Sequence, residues 1–519
     1  MAEPAGMSRT NASMTRALCL CLALALAAPA AAATLITNAR LVDGTGAAAR
    51  TASVRIESDH IAAVGDLKPQ PGDTVIDAHG LVLAPGFIDS HSHHDGDRFA
   101  ERTMPALLAQ GVTTIVVGND GFTELGTPGL AAVFAKAPPS INAATYASHG
   151  EIRGKVMGSD YKRPATPAEL AAMQTLLAEN MAAGALGLST GLEYDPGIYS
   201  QKAEVIALAK TAAASGGRYI SHMRSEDVAF DAALDELLDI GRQAKLPVQI
   251  SHLKLAIVDR WGGSPAVIEK LNAARAEGID VTADVYPYEY WQSSLTVLFP
   301  KRDFTDLKQA QFALTSLSTP EGMLIARYAP DPSLVGKTIA DIAKARGTPP
   351  AETYLALIQT AEGWAAAHPN EDVESVIATS MRSDDVANFI AWDHANICSD
   401  GSSHGLHPRG KGSFPKIYRL YVRDQQRLSL EQAVHKMTGL TAAHLGMTTR
   451  GTIRPGAVAD LVLFDPSTFT DHADTKSPNA LATGMERVWV AGVPVWTDGK
   501  PTGATPGRFI KRETGKPGA

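Results

Sequence analysis

The sequence predicts an α/β protein built on a (β/α)8 TIM-type barrel, with a small β-sandwich formed from both chain ends and a small insertion after the seventh strand. Three observations support this prediction. Short apolar, β-branched runs alternate with helical patterns eight times, both flanks show short strands separated by turns, and the alternation breaks once, after the seventh run. Eight alternating strand–helix units imply a parallel sheet closed into a barrel, and a doubly wound open sheet is the alternative.

The predicted barrel strands are short apolar runs, and helical patterns follow most of them. The eight runs are Phe87–Asp89, Thr113–Val117, Asn142–Tyr146, Ala185–Leu188, Arg218–Ile220, Pro247–Ile250, Asp280–Ala283 and Ala395–Cys398. Two of the helices begin with a capping box. Thr166 and Glu169 form the first box, which opens a helix to about Ala183, and Ser429 with Gln432 repeats the pattern.

The domain boundaries follow from where this alternation starts, breaks and stops. Residues 34–84 and 451–519 contain short strands with turns, and the second segment also includes a C-terminal tail. We expect these two segments to meet in one β-sandwich beside the barrel, which spans residues 85–450. Residues from about 290 to 343 form the insertion, as a small inserted domain or a lid.

The first 33 residues are typical of a secretory signal peptide. Arg16 supplies positive charge, Ala17–Ala28 form a short apolar run, and Ala30–Ala33 are a cleavage zone of small residues. The apolar run is short for a membrane span, and an uncleaved anchor is the alternative. We therefore expect a periplasmic or secreted protein that has no membrane contact after cleavage near Ala33.

The charge and the cysteine content of the chain limit the partners and the disulfides that we expect. The chain carries a formal net charge of −8 and its basic residues form no stripe, so nucleic acid is not an expected partner. Of the three cysteines, Cys19 and Cys21 lie in the signal peptide, so the mature chain keeps only Cys398 and can form no internal disulfide. The oligomeric state stays open.

Histidine and aspartate residues follow five of the predicted barrel strands at their C-terminal ends, where barrel active sites are built. These residues are His91, His93, Asp120, His222, His252 and Asp400. Imidazoles and carboxylates are the ligands expected for Zn²⁺ or a similar divalent ion, and six of them suffice for one or two ions. Such a metal lowers the pKa of a bound water to about 7 and polarises a carbonyl, as amide hydrolysis at neutral pH requires.

Seven motifs in order resemble the amidohydrolase superfamily and, within it, the N-acyl-D-amino acid deacylases, or D-aminoacylases. The motifs are "APGFIDSHSHHD", "QGVTTIVVGND", "GALGLSTGLEYDPGIYS", "YISHMRSE", "ISHLK", "DVYPY" and "SDGSSHGLHPRGKGSFPKIYRLYVRD". The resemblance implies that His91 and His93 belong to the more exposed metal position and that His222 and His252 hold the tighter metal. It also implies that Asp400 ligates metal and acts as general base and then general acid.

The resemblance further implies where the substrate binds. Lys254, Tyr286 and Arg409 fall where the family grips substrate carboxylates, and Tyr194 falls where a tyrosine hydroxyl assists at the scissile carbonyl. The residues agree with this, because two cations and a hydroxyl beside a metal suit a small anionic substrate. The alternatives are a salt bridge to a barrel carboxylate for Lys254, a loop-stabilising pair for Arg409 and ordinary packing for Tyr194.

The chain departs from the family at Asp120, where "GNDG" replaces the family's "GNCG". The family's cysteine is the main ligand of the tightly held metal. A carboxylate can ligate or bridge zinc, so we expect Asp120 to take over that role, and orientation of a histidine is the alternative. The substitution leaves the metal's identity and the number of ions open.

The expected reaction is metal-dependent hydrolysis of N-acyl amino acids, of D configuration, to a carboxylate and a free amino acid. Asp400 would take a proton from water and pass it to the leaving amine, while the metal and Tyr194 stabilise the oxyanion. Other possibilities are a cyclic-amide hydrolase, like dihydroorotase or hydantoinase, and a dipeptidase of the same superfamily. These enzymes usually use a carbamylated lysine, and no lysine ends the fourth strand, at "LSTGLEY". A metal-free binding protein on the same scaffold is the alternative from another class.

Overall fold

Eight parallel strands form a barrel at the centre of the computed structural model, which describes residues 1, 33–369, 371–403 and 405–513. The barrel strands are Phe87–Asp89, Val112–Val117, Asn142–Thr145, Gly187–Gly191, Arg218–His222, Val248–Ile250, Val281–Val285 and Ala395–Ile397. A short strand, Ala147–Ser148, continues the third strand and pairs with the fourth. Every predicted strand overlaps an observed one, and the predicted barrel fold is confirmed.

The barrel closes between its eighth and first strands. Just beyond them, Ser92–His93 pairs in parallel with Gly401–Ser402. The backbone N–H of Asp400 donates to the carbonyl of His91 at 2.8 Å. This seam brings predicted metal ligands from the two ends of the barrel sequence side by side.

Helices surround the strands, and their caps follow the sequence pattern. They are Pro105–Leu108, Gly126–Lys136, His149–Met157, Pro167–Ala183, Lys202–Ala214, Phe230–Ala244, Ser264–Ala276, Ser383–Ala391, Arg409–Lys416, Leu430–Met437 and Gly439–Leu445. Both predicted capping boxes are present. The hydroxyl of Thr166 accepts from the backbone N–H of Glu169, and that of Ser429 accepts from the backbone N–H of Gln432. In each box the longer side chain returns a bond to the first residue, so both helix starts are fixed locally.

Both chain ends contribute strands to one sheet beside the barrel, which has nine strands among the described residues. The strands are Thr34–Leu41, Arg50–Glu57, His60–Gly65, Thr74–Asp77, Val82–Pro85, Leu461–Phe464, Met485–Val490, Val493–Thr497 and Lys500–Pro501. The two ends meet as expected, but in one continuous sheet, because Val82–Pro85 pairs antiparallel with Leu461–Phe464. The sheet curls around an apolar core, since the N–H of Ile61 at its far edge reaches the carbonyl of Ala457 at 2.8 Å.

The insertion after the seventh strand contains a three-stranded antiparallel sheet. Its strands are Tyr290–Ser293, Met323–Tyr328 and, in the centre, Glu374–Thr379. The helices Leu307–Phe312, Ile339–Arg346 and Pro350–Ala367 belong to the same segment. The insertion therefore reaches Thr379, beyond the predicted end near residue 343. The difference arises because the central strand comes last in sequence, after a long helix that resembles a barrel helix.

Among the described residues, no helix is both long and apolar enough to cross a membrane. The apolar run of the predicted signal peptide, with Cys19 and Cys21, lies outside the described residues.

Candidate metal centre

All six predicted metal ligands lie together at the C-terminal end of the barrel. They form two groups that share Asp120. One group is His91, His93, Asp120 and Asp400, and the other is Asp120, His222 and His252. Within each group the ligand atoms lie within 4.8 Å of one another. The structure therefore brings together every residue that the sequence proposed as a ligand.

The first group has the spacing of a zinc site. The Nε2 atom of His91 lies 3.3 Å from Nε2 of His93 and 3.2 Å from Oδ2 of Asp120. The Nε2 atom of His93 lies 3.3 Å from both Asp120 Oδ2 and Asp400 Oδ1. Tetrahedral zinc with bonds of about 2.0–2.1 Å separates its ligand atoms by about 3.3 Å. These four side chains are therefore arranged as a zinc ion would require.

The second group uses the other oxygen of the shared carboxylate. Oδ1 of Asp120 lies 3.5 Å from Nε2 of His252, which in turn lies 3.1 Å from Nδ1 of His222. Oδ1 of Asp120 is buried and has no hydrogen-bond partner among the described residues. A buried carboxylate oxygen left in this state is costly unless a cation satisfies it. The orphaned oxygen therefore fits a metal ion between Asp120 and the two imidazoles.

Each of the three most deeply buried imidazoles also contacts a carboxylate through its second ring nitrogen. Nδ1 of His91 lies 3.3 Å from Asp284, Nε2 of His222 lies 2.8 Å from Glu193, and Nδ1 of His252 lies 2.9 Å from Glu226. Metal-bound histidines usually donate their other N–H to such a group, which fixes the ring and increases its basicity.

These three carboxylates were missed in the sequence, although each follows or ends a barrel strand. Glu193 lies just past the fourth strand, Glu226 lies past the fifth, and Asp284 lies within the seventh. Barrel active sites are built at the C-terminal strand ends, so the sequence places all three carboxylates near the rim, but it does not show which of them contact an imidazole.

The charge around the imidazoles also favours a cation. Five carboxylates and two cationic side chains surround the four histidines, so neutral imidazoles would leave a net negative charge. Burial acts to raise the pKa of Asp120, but His91 and His252 hold it well below its usual value. Burial acts to lower the pKa of His93, but Asp120 and Asp400 raise it to about 9. In both shifts, carboxylates and imidazoles stabilise each other's charged forms, and a divalent ion among the same side chains would also be stabilised by the carboxylates.

Lys254 lines a cavity at the metal centre and is paired with Glu226. Its Nζ atom lies 2.7 Å and 2.6 Å from the two oxygens of that carboxylate and 2.7 Å from Nδ1 of His252. The ammonium of Lys254 therefore makes three close polar contacts within the site, two with Glu226 and one with His252. If Nε2 of His252 held a metal, Nδ1 would carry the ring hydrogen, and Glu226, 2.9 Å away, would accept it.

Arg409 and Tyr286 lie together beside Asp400. A guanidinium nitrogen of Arg409 lies 2.5 Å from Oδ2 of Asp400, and the guanidinium lies 5.0 Å from the centre of the Tyr286 ring. Arg409 lines the cavity, whereas the buried Tyr286 hydroxyl has no hydrogen-bond partner among the described residues. A substrate in the cavity can therefore contact Arg409, as predicted. Tyr286 does not line the cavity, and its ring packs against the guanidinium of Arg409.

Tyr194 lines two cavities at the metal centre. The centre of its ring lies 4.4 Å from the centre of the His222 ring, and Asp400 and Arg409 line both cavities with it. Burial and the nearby carboxylates, with Asp120 foremost, raise the pKa of its hydroxyl well above the usual value. The hydroxyl therefore stays protonated and can donate to a carbonyl oxygen.

Known proteins match this chain over most of its length. The amidohydrolase family model matches residues 74–317 and 404–496. D-aminoacylase of Alcaligenes xylosoxydans xylosoxydans is 35% identical, with 92% of this chain and 97% of that protein covered. N-acyl-D-aspartate deacylase of the same organism is also 35% identical, with 92% of this chain and 94% of that protein covered. The solved N-acyl-D-glutamate deacylase from Bordetella bronchiseptica, complexed with zinc and a phosphonate inhibitor, is 32% identical with a TM-score of 0.82, covering 92% of this chain and 99% of that one.

Proposed function

This chain belongs to the amidohydrolase family, and from that premise we propose that it hydrolyses the amide bond of N-acyl-D-amino acids with a bound metal. One observation carries the proposal: two groups of metal-ligand side chains share Asp120, and His222, His252 and Asp400 of these groups line one cavity with Lys254 and Arg409. The ligand groups suit hydrolysis, and the two cations suit the carboxylate of an acylated amino acid. The relatives named above, which act on N-acyl-D-amino acids, support the D configuration.

We infer that zinc is the metal. The tetrahedral spacing of the first ligand group and the zinc in the solved N-acyl-D-glutamate deacylase support this inference. His91, His93, Asp120 and Asp400 would hold one ion, and Asp120, His222 and His252 would hold a second. When bound, the metal lowers the pKa of water to about 7 and polarises the scissile carbonyl.

Asp400 is the group that moves the proton in this proposal. Burial acts to raise its pKa, but Arg409 and His91 hold the pKa well below its usual value, so the carboxylate is ionised at neutral pH. It accepts a proton from the attacking water and returns that proton to the leaving nitrogen. Tyr194 donates its hydroxyl to the carbonyl oxygen as negative charge develops there. Arg409 and Lys254 hold the substrate carboxylate.

A substrate panel tests the proposal. The purified protein is assayed for release of free amino acid from N-acetyl-D- and N-acetyl-L-amino acids, with dihydroorotate, hydantoins and dipeptides as competing classes. We expect turnover of N-acetyl-D-amino acids and zinc bound to the protein by elemental analysis. Faster turnover of a cyclic amide or a dipeptide would overturn the proposal in favour of another amidohydrolase reaction. A metal-free protein that binds but does not cleave these amides would identify a non-catalytic scaffold.

We also propose that the protein is exported to the periplasm or beyond. The pattern from Arg16 to Ala33 supports this, and the first strand of the fold begins directly afterwards, at Thr34. Expression of the full gene in a Gram-negative host, followed by N-terminal sequencing, should give a mature start near Thr34. Recovery of the full-length chain only in the cytoplasm would contradict export.

A further inference from the structure

Two cavities adjoin the candidate metal centre, and they differ in size and in lining. Tyr194, Asp400 and Arg409 line both of them. The first cavity has a volume of about 470 Å³, and Lys254 lines it. The second cavity has a volume of about 1210 Å³ with the open space at its mouth included, and Lys254 does not line it. The second cavity is therefore the wider of the two and lacks the lysine that suits a substrate carboxylate.

Backbone forms part of the wall of the second cavity. Four glycines from the loops that follow barrel strands line it, namely Gly121, Gly150, Gly191 and Gly197. A Cβ atom on Gly191 would lie 2.1 Å from the carbonyl oxygen of Asp120, and one on Gly197 would lie 2.3 Å from the carbonyl oxygen of Gly191. The close packing of these loops therefore requires glycine, and this part of the wall carries no side chains.

The acidic side chains that line the second cavity outside the metal centre already have partners. A carboxylate oxygen of Glu151 lies 2.9 Å from Nζ of Lys155, and one of Asp195 lies 3.2 Å from the guanidinium of Arg302. The other charged groups of this cavity belong to the metal-ligand groups or, in the case of Arg409, pair with one of them. Among the described residues, the part of this cavity away from the metal centre therefore offers no unpaired charge to a ligand.

Phe122 lies at the mouth of the second cavity with its ring largely uncovered. It is 61% exposed and belongs to none of the apolar clusters of the described residues. Its backbone is nevertheless held in place, because its N–H donates to the carbonyl of Asn119 at 3.0 Å and the N–H of Gly121 donates to Ser189 Oγ at 3.2 Å. A single exposed phenyl ring is ordinary on a protein surface, but this one lines the approach to a reaction centre together with Pro196. An apolar group of a ligand in the cavity would cover it.

We propose that the second cavity holds the acyl group and that the enzyme prefers extended apolar acyl chains, which reach Phe122, to acetyl. The inference rests on the proposed function, because it places the scissile carbonyl at the metal centre. Lys254 lines only the first cavity, so a carboxylate held by Lys254 puts the amino-acid half there and leaves the second cavity to the acyl half. Acetyl has a single carbon beyond the carbonyl and would leave most of this volume to water. A longer chain would cover the Phe122 ring, and burial of both apolar surfaces stabilises the complex.

The test compares kcat/KM for N-acetyl-, N-butyryl- and N-octanoyl-D-alanine, so that only the acyl group varies. We expect kcat/KM to rise along the series, with octanoyl at least about 10-fold above acetyl, because the added methylene groups are buried in the cavity. Phe122→Ala should lower the octanoyl-to-acetyl ratio by about 10-fold, since the removed ring contacts only the longer chain. Val228→Ala is the matched control. Val228 is 62% exposed on a different barrel loop and lines neither cavity, so its replacement should leave the ratio unchanged.

The outcomes separate the inference from the proposed function. In the unaltered enzyme, acetyl turnover equal to or faster than octanoyl turnover would overturn the acyl preference and leave the proposed function standing, even if Phe122→Ala failed to fold. Equal losses on acetyl and octanoyl substrates in a folded Phe122→Ala protein would show that the ring supports the neighbouring turn and does not contact the acyl chain. No turnover of any N-acyl-D-amino acid would overturn the proposed function and this inference with it.

Discussion

Replacing Asp120 tests the metal centre most directly, because this carboxylate contacts both ligand groups. One oxygen lies 3.2 Å from Nε2 of His91, and the other lies 3.5 Å from Nε2 of His252. Asp120→Asn removes the charge but keeps the size. Asparagine also tolerates the left-handed backbone at this position, where φ is 54°. We expect this variant to fold normally and to lose metal from both groups.

The size of the effect follows from the position of Asp120 between the groups. Losing a residue that only orients a ligand lowers metal affinity or activity by about 10- to 100-fold. Losing a ligand that both groups share should cause a larger loss than this. We therefore expect metal affinity and kcat each to fall by more than about 100-fold. Asp120→Ala adds a backbone penalty of roughly 1–2 kcal/mol, which lowers Tm in addition. Asp120→Cys should keep metal, because zinc accepts a thiolate readily.

The assay is the metal content per chain after dialysis against a chelator, with Tm and kcat measured on the same samples. Asp95→Asn is the matched control. Asp95 is a buried carboxyl after the first strand, it accepts from the hydroxyl of Thr123 at 3.3 Å, and it belongs to neither ligand group. Its replacement should leave the metal in place. An Asp120→Asn protein with full metal content and normal kcat would refute the assignment of Asp120 as a ligand.

Three further variants test separate parts of the molecule. Lys254→Ala should lower kcat/KM for N-acyl amino acids by about 10- to 150-fold and affect their uncharged amide analogues less; equal losses would make Lys254 a support for Glu226 alone. Tyr194→Phe should lower kcat by about 10- to 100-fold with KM little changed, whereas an unchanged kcat would show that the ring only packs. Burial lowers the pKa of His444 to about 3, so between about 3 and 6.5 the unfolded chain binds more protons than the folded one. The free energy of unfolding should therefore fall by about 1.4 kcal/mol for each pH unit as the pH drops through that window. His444→Gln should flatten the curve of Tm against pH. Parallel curves for the variant and the unaltered protein would contradict this prediction.

The barrel and its ligands could be predicted because both depend on local patterns. A short apolar run marks each strand, and the residues that follow it lie at the C-terminal end of the barrel. This holds irrespective of the length or sequence of the helices between the strands. His91, His222 and Asp400 are far apart in sequence, yet each directly ends or follows such a run. Topology alone therefore brings them together.

The remaining features depend on contacts that the sequence pattern does not reveal. Glu193 and Glu226 are loop residues, and only the folded structure shows that each one contacts an imidazole. The insertion was predicted too short because its central strand, Glu374–Thr379, pairs with strands more than 40 residues earlier in the chain. The continuous terminal sheet likewise depends on one pairing between distant segments, Val82–Pro85 and Leu461–Phe464.

Three of the candidate ligands share a backbone conformation that non-glycine residues usually avoid. The φ angles of Asp120, His252 and Asp400 are 54°, 35° and 48°. A left-handed residue of this kind costs roughly 1–2 kcal/mol, and it persists only where the surrounding structure enforces it. Eleven other non-glycine residues among those described also have a positive φ, so this conformation agrees with a functional role at the rim but does not by itself locate the site.

Asp284 shows how the fold enforces that conformation while it orients a ligand. One of its oxygens accepts the backbone N–H of His252 at 2.7 Å and also lies 3.3 Å from Nδ1 of His91. The same oxygen therefore hydrogen-bonds to the strained turn of the second ligand group and lies close to the imidazole of the first. Gln249 donates to its other oxygen at 2.7 Å, which fixes the carboxylate itself. Asp120 and Asp284 therefore each contact both ligand groups, Asp120 through its two carboxylate oxygens and Asp284 through a single oxygen.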